Sequence, residues 1–121
     1  MKVRCTKLLD TLGNPQTTSA WLTVGKIYHV LSVLLDAQGR WLLRLVGDSQ
    51  PGVGLFGLEQ FDIVSSKIPE RWVVTWNREG VFELTTAAWN EVGFWERYFD
   101  GDSNAKTVFE REMAAIVAVE P

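Results

Sequence analysis

Apolar and polar residues alternate along much of the first 65 positions, and the period changes near the end of the chain. Val3 and Cys5 point one way and Arg4 and Thr6 the other, which predicts a first strand within residues 1–9. The polar stretch 10–25 follows, with Gly13-Asn14-Pro15 and Thr17-Thr18-Ser19 in it. A loop of that length in a small domain is either functional or packed down, here by Trp21. Ile27 to Leu35 and Trp41 to Val46 flank the turn Asp36-Ala37-Gln38-Gly39, which predicts a hairpin with Arg40, Leu42 and Arg44 facing away from Trp41, Leu43 and Leu45. A second turn around Pro51-Gly52 leads to short strands from Val53 and from Phe61, separated by a corner at Leu58-Glu59-Gln60.

Beyond Ile68-Pro69, Trp72 to Trp76 and Val81 to Leu84 flank Asn77-Arg78-Glu79-Gly80, a second hairpin with glycine where a turn favours positive φ. The last forty residues have helical spacing. Thr85 or Thr86 is placed to cap a helix with Trp89, Val92, Trp95, Tyr98 and Phe99 on one face, weakened at Gly93. After Asp100-Gly101-Asp102, Ser103 is placed to cap a final helix with the stripe Ala105, Val108, Phe109, Met113, Ile116 and Val117. The strand order over 1–65 is that of a small SH3-like barrel, and 70–121 adds a hairpin and two helices. The expected class is therefore α+β: a small SH3-like β-barrel followed by a β-hairpin and two C-terminal α-helices.

Composition narrows this reading. The 121 residues suit one domain, 1–121, and 46% hydrophobic against 22% charged residues exclude a disordered chain. The single cysteine, Cys5, allows no intramolecular disulfide and points to a reducing compartment, so a cytoplasmic location is expected. No apolar run approaches the ~18 residues of a membrane span and no export signal is recognisable, so no membrane association is expected. Six Trp, six Phe and two Tyr are a heavy aromatic load. Trp41, Trp72, Trp76, Trp89 and Trp95 fall on faces expected to build the core, whereas Phe94 points away from the main helical stripe.

The net charge of −3 is unevenly laid out: residues 1–47 carry +4, residues 48–89 carry −3 and residues 90–121 carry −4. An acidic chain argues against general nucleic-acid binding, and an acidic face would steer basic partners.

Candidate chemistry is sparse. His29 is the only histidine and shares a strand pattern with Ile27 and Leu31, as a partly buried structural residue would. Cys5 lacks a nearby activating partner in sequence. Asp100, Asp102 and Asn104 open like a calcium loop, but Ala105 and Arg111 occupy the positions that need Gly and Glu, so the segment reads as an inter-helix turn. Gly52 to Gly57 lacks the residues that would reach a phosphate. Glu112 projects into the apolar arc of the last helix and requires a partner or an edge location; a structural pair with an arginine of the barrel is expected in preference to an active-site acid. No catalytic residue, metal site or cofactor is expected, and the chain is not expected to be an enzyme. Arg40 and Arg44, with Lys26, Tyr28 and Ser32 on the adjacent strand, form the alternative: an SH3-like adaptor or RNA-binding face.

Two stretches carry a resemblance. Leu22-Thr23-Val24-Gly25-Lys26-Ile27-Tyr28-His29-Val30-Leu31 resembles the entry into an SH3-like barrel of small bacterial proteins. Gly93-Phe94-Trp95-Glu96, then Tyr98-Phe99-Asp100, Ala105, Phe109, Glu112 and Ile116, resembles immunity proteins of bacterial polymorphic toxin and contact-dependent growth inhibition systems. The resemblance implies a cytosolic antidote that binds a cognate toxin domain, commonly a basic nuclease, and blocks its active site or substrate access. Glu79, Glu96, Asp100, Asp102 and Glu110 are the acidic candidates for that contact, with Phe94 the aromatic nearest their rim.

Overall fold

The computed structural model describes residues 1–49 and 52–121. Gln50 and Pro51, and with them half of the expected Pro51-Gly52 turn, lie outside the described residues.

Alternation places the opening strand as expected: β1 (Lys2–Cys5) buries Val3 and Cys5 and exposes Arg4. The stretch 27–35 is not one strand. It divides into β2 (Ile27–His29) and β3 (Ser32–Leu35), because the Val30 N–H donates to the Met1 carbonyl while the next N–H, of Leu31, donates to the Arg44 carbonyl. Two successive residues thus hand the chain from one sheet to another. β4 (Trp41–Val46) and β5 (Val53–Gly57) continue the meander, a 3₁₀ turn (Leu58–Gln60) follows, and β6 (Phe61–Ser65) returns to β1. The second hairpin, β7 (Trp72–Trp76) and β8 (Phe82–Thr86), does not pack on the sheet but joins it, β8 pairing with β3. Among the described residues the result is two antiparallel sheets, β2-β1-β6 and β5-β4-β3-β8-β7, with no closed barrel.

The helix expected from Thr85 onward is shorter. Thr86 accepts the Trp89 N–H through its hydroxyl at 3.2 Å, but only a 3₁₀ turn, Ala88–Asn90, follows, with Ala87 in the cap position. Gly93, at φ +77°, then breaks the run and starts α1 (Phe94–Phe99) in a new phase. α2 (Ser103–Val119) is capped by Asp102, which accepts the Ala105 N–H at 2.9 Å. It buries Ala105, Phe109, Glu112 and Ile116, so the expected stripe is met, and its C-terminal end is tied back where the Glu120 carbonyl lies 2.6 Å from His29 Nε2.

The loop 10–25 is held at its far end by one carboxylate. Asp48 accepts from Lys26 Nζ at 2.6 Å, from Thr23 Oγ1 at 2.7 Å and from the buried Tyr28 hydroxyl, while that hydroxyl accepts the Thr23 N–H at 2.9 Å. The Lys26 ammonium, aided by Thr23, holds the Asp48 carboxyl below the usual carboxylate range. A depressed folded-state value stabilises the fold above the carboxyl's ordinary range, and that contribution is lost as pH falls through the folded value. Asp48→Asn is therefore expected to cost about 1 kcal/mol at neutral pH, the upper range for an exposed pair, with the gap from wild type closing in acid. Urea unfolding at several pH values measures it; a gap that persists in acid would show the carboxylate charge to be irrelevant.

No helix among the described residues is long and apolar enough to cross a membrane.

Candidate functional site

The acidic candidates are carried by α1, α2 and the turn between them. Glu96 is in the first turn of α1, Asp100 ends it, Asp102 caps α2 and Glu110 lies two turns on, all exposed. Burial, with the Glu110 charge as the smaller cause, raises the Tyr98 phenol. These four lie on a rim of α1, α2 and their turn that also carries the exposed cations Arg97 and Lys106 and is net acidic, whereas Glu79 belongs to a different element, the β7–β8 turn.

Phe94 does not join them. It is only 2% exposed, packed edge-to-face on Trp95 at 5.0 Å and stacked on Tyr98 at 6.4 Å. The helical phase restarts at Gly93, so projection from Trp89 gives the wrong direction; counted from Phe94, positions 94, 95 and 98 share the inner face. The aromatic left outside is Phe99, 56% exposed and adjacent to Asp100. The glycine was the signal for this inversion.

Beneath the rim lies an aromatic stack. Phe109 of α2 meets Trp89 at 5.4 Å, Tyr98 at 4.7 Å and Trp95 at 6.1 Å. Trp95 in turn covers Arg44, whose guanidinium carbon is 4.3 Å from the ring centroid. Arg44 is buried. Its Nη1 donates to Glu83 at 2.6 Å and to Ser32 Oγ at 3.4 Å, and Ser32 shares a hydrogen bond with Thr85 at 3.0 Å. Burial pulls the Arg44 pKa down and Glu83 opposes the shift. The alternation of Arg40, Leu42 and Arg44 was as expected, but α1 covers this face at Arg44, so Arg44 fixes the helices to the sheet. With Arg44 and the Tyr28 ring both buried, the residues named for an RNA-binding face are not presented together.

The opposite face of the larger sheet is apolar, covered at Leu43 and open toward Trp41 and Trp76. Trp41, Leu35, Phe82 and Trp76 stand in register across four strands, and Leu43, Val33, Leu84 and Val74 form the next row. Leu43 is buried, but Trp41 is 44% and Trp76 71% exposed, so these two tryptophans do not build the core as expected. Alternation assigns a residue to a face without saying how far the facing layer extends.

Among the remaining polar groups, Glu112 is buried with Arg71 Nη2 at 3.5 Å and Arg111 Nε at 3.7 Å. Its partner arginine therefore comes from the segment before β7 and from α2 itself, not from the first sheet. Burial raises the Cys5 thiol, the reverse of activation. Among the described residues no three His, Cys, Asp or Glu side chains converge as a metal site. A cleft of about 450 Å³ runs between the 10–25 loop and β5, lined by Trp21, Leu42, Leu55 and Phe56, with Asp10, Arg40 and Glu59 at its margin. No family model, curated protein or solved structure matches this chain.

Proposed function

We propose that this protein is an antidote that binds a cognate toxin domain, a basic nuclease, and blocks its active site or substrate access. The observation that carries the reading is the net acidic set of exposed side chains on α1, α2 and their turn, Glu96, Asp100, Asp102 and Glu110, with Phe99 exposed on the same helix as Glu96 and packed aromatic rings between the helices. Side chains on packed helices meet a partner without first being ordered, and their charge steers a basic surface into place. The resemblance to immunity proteins supplies the class of partner. An SH3-like first half is part of this reading, supported by the long 10–25 loop, the 3₁₀ turn before β6 and the return of β6 to β1.

The test is co-expression with a toxin domain, which this reading expects to be encoded beside this chain, with complex formation read by size exclusion. Protection and a stoichiometric complex are expected. Combined neutralisation by Glu96→Gln, Asp100→Asn and Glu110→Gln, with Asp102 kept because it caps α2, is expected to slow association about tenfold or more at low salt. Absence of a complex, or an association rate indifferent to both the substitutions and salt, overturns the reading.

A further inference from the structure

β7 is an edge of the five-stranded sheet, and it lacks the usual protection of an edge. Residues 72–76 contain no charge, no proline and no bulge, and the register with β8 runs unbroken from Trp72↔Thr86 to Trp76↔Phe82. Val74 and Trp76 are 67% and 71% exposed. A cavity of about 550 Å³ lies against the strand, lined by Val74, Trp76, Asn90 and Val92, and Val92 is 98% exposed. The outer backbone groups are also assigned. Asn77 donates its N–H to the Val81 carbonyl, so positions 77, 75 and 73 turn their backbone groups toward β8, and alternation turns those of Val74 and Trp76 outward.

We propose that this edge is the interface of a symmetric dimer, in which β7 of two copies pair antiparallel about Val74. The occupant is a second copy because the segment is complementary to itself. Full overlap of the five residues sets Val74 opposite Val74, Thr75 opposite Val73 and Trp76 opposite Trp72 of the second copy, with no charge facing a like charge. Beyond the paired strands, the turn residue Arg78 of one copy lies at the same end of the pair as the turn residue Glu70 of the other, and all four of these side chains are exposed before pairing. Arg71 is already engaged by Glu112. Val74 exchanges both backbone hydrogen bonds with its mate. Each Trp76 N–H finds the Trp72 carbonyl of the other copy, whose own N–H is occupied by the Pro69 carbonyl. The row Leu43, Val33, Leu84, Val74 then continues across the dyad into the same row of the second copy.

This dimer is independent of the toxin reading, because the acidic rim lies on the helices. Sedimentation velocity on the full chain, from low-micromolar to submillimolar concentration, is expected to show monomer passing to dimer. Val74→Pro removes an outward N–H and no bond to β8, so it is expected to raise the dimer dissociation constant about a hundredfold while leaving the circular dichroism unchanged. Arg78→Glu brings a like charge to the end of the pair that holds Glu70 and is expected to raise it about tenfold, and Glu70→Arg combined with Arg78→Glu restores it. Should Val74→Pro unfold the chain, the charge exchange, confined to exposed turn residues, carries the test alone. A monomer at every concentration, a dimer that Val74→Pro leaves intact in a folded chain, or a charge exchange without rescue overturns the proposal.

Discussion

Glu83→Ala is expected to destabilise the fold by about 3–5 kcal/mol, the cost of leaving a buried guanidinium without its counter-charge. Arg44 is enclosed by the sheet below and Trp95 above, and among the described residues its one carboxylate within salt-bridge distance is Glu83, at 2.6 Å. Ser32, itself hydrogen-bonded to Thr85, offers it a dipole but no charge. Removing the arginine instead, by Arg44→Met, leaves Glu83 partly exposed and is expected to cost less. Exchanging both for apolar residues of similar size, Arg44→Met with Glu83→Leu, is expected to bring stability back to within about 2 kcal/mol of wild type, because no stranded charge remains. Urea unfolding followed by tryptophan fluorescence measures all three, and the double-mutant cycle isolates the pair. A Glu83→Ala cost below about 1 kcal/mol would place this pair among exposed ion pairs instead. The variant is also expected to loosen Trp95 and hence α1, visible as lost near-ultraviolet dichroism.

That pair marks the boundary of what could be read along the chain. Period-two patterning located β1, β4 and both hairpins, and the glycines at 39 and 80 do adopt positive φ in their turns. The stripe of α2 was legible for the same reason: a continuous helix keeps one phase over its length. The misreadings share a cause of the opposite kind. The 27–35 stretch is apolar on both sides of its break, so nothing in its composition marks the point at which Val30 and Leu31 turn to different strands. Arg44 alternated as expected, yet its environment depends on Glu83, which comes from another hairpin, and on a helix that returns over the sheet. Trp41 and Trp76 lie at the end of a face whose covering layer stops at Leu43. Periodicity reports which side of an element a residue occupies; burial depends on distant segments.

The two surfaces singled out here differ in the physics that would govern them. The helical rim is charged and seated on buried aromatics, so its contacts respond to salt and mainly affect how fast a partner arrives. The β7 edge carries no charge in its five residues, so pairing there depends on backbone bonds and apolar contact, with Glu70 and Arg78 of the flanking turns brought to the same ends of the pair. A salt titration therefore separates them: toxin association is expected to weaken with ionic strength far more steeply than self-association.

Phe94→Ala and Phe99→Ala, neighbours on one six-residue helix, are expected to part company completely. Phe94 is enclosed by Trp95 and Tyr98, so truncation opens a cavity in the layer that joins α1 to the core, at a cost of about 3–5 kcal/mol. Phe99 is more than half exposed, and its truncation is expected to cost less than about 1 kcal/mol. Under the antidote reading the binding effects run the other way. Phe99→Ala removes the aromatic beside Asp100 and is expected to weaken toxin affinity by about tenfold or more, as loss of an interface anchor does. A folded Phe94→Ala protein, examined at low temperature, is expected to bind close to normally, because its side chain never meets the partner. If Phe94→Ala left stability intact and abolished binding, the ring would have to turn outward in solution, and the phase set by Gly93 would be wrong. Unfolding curves on both variants, paired with titrations of the toxin domain, separate these outcomes without requiring a structure of the complex.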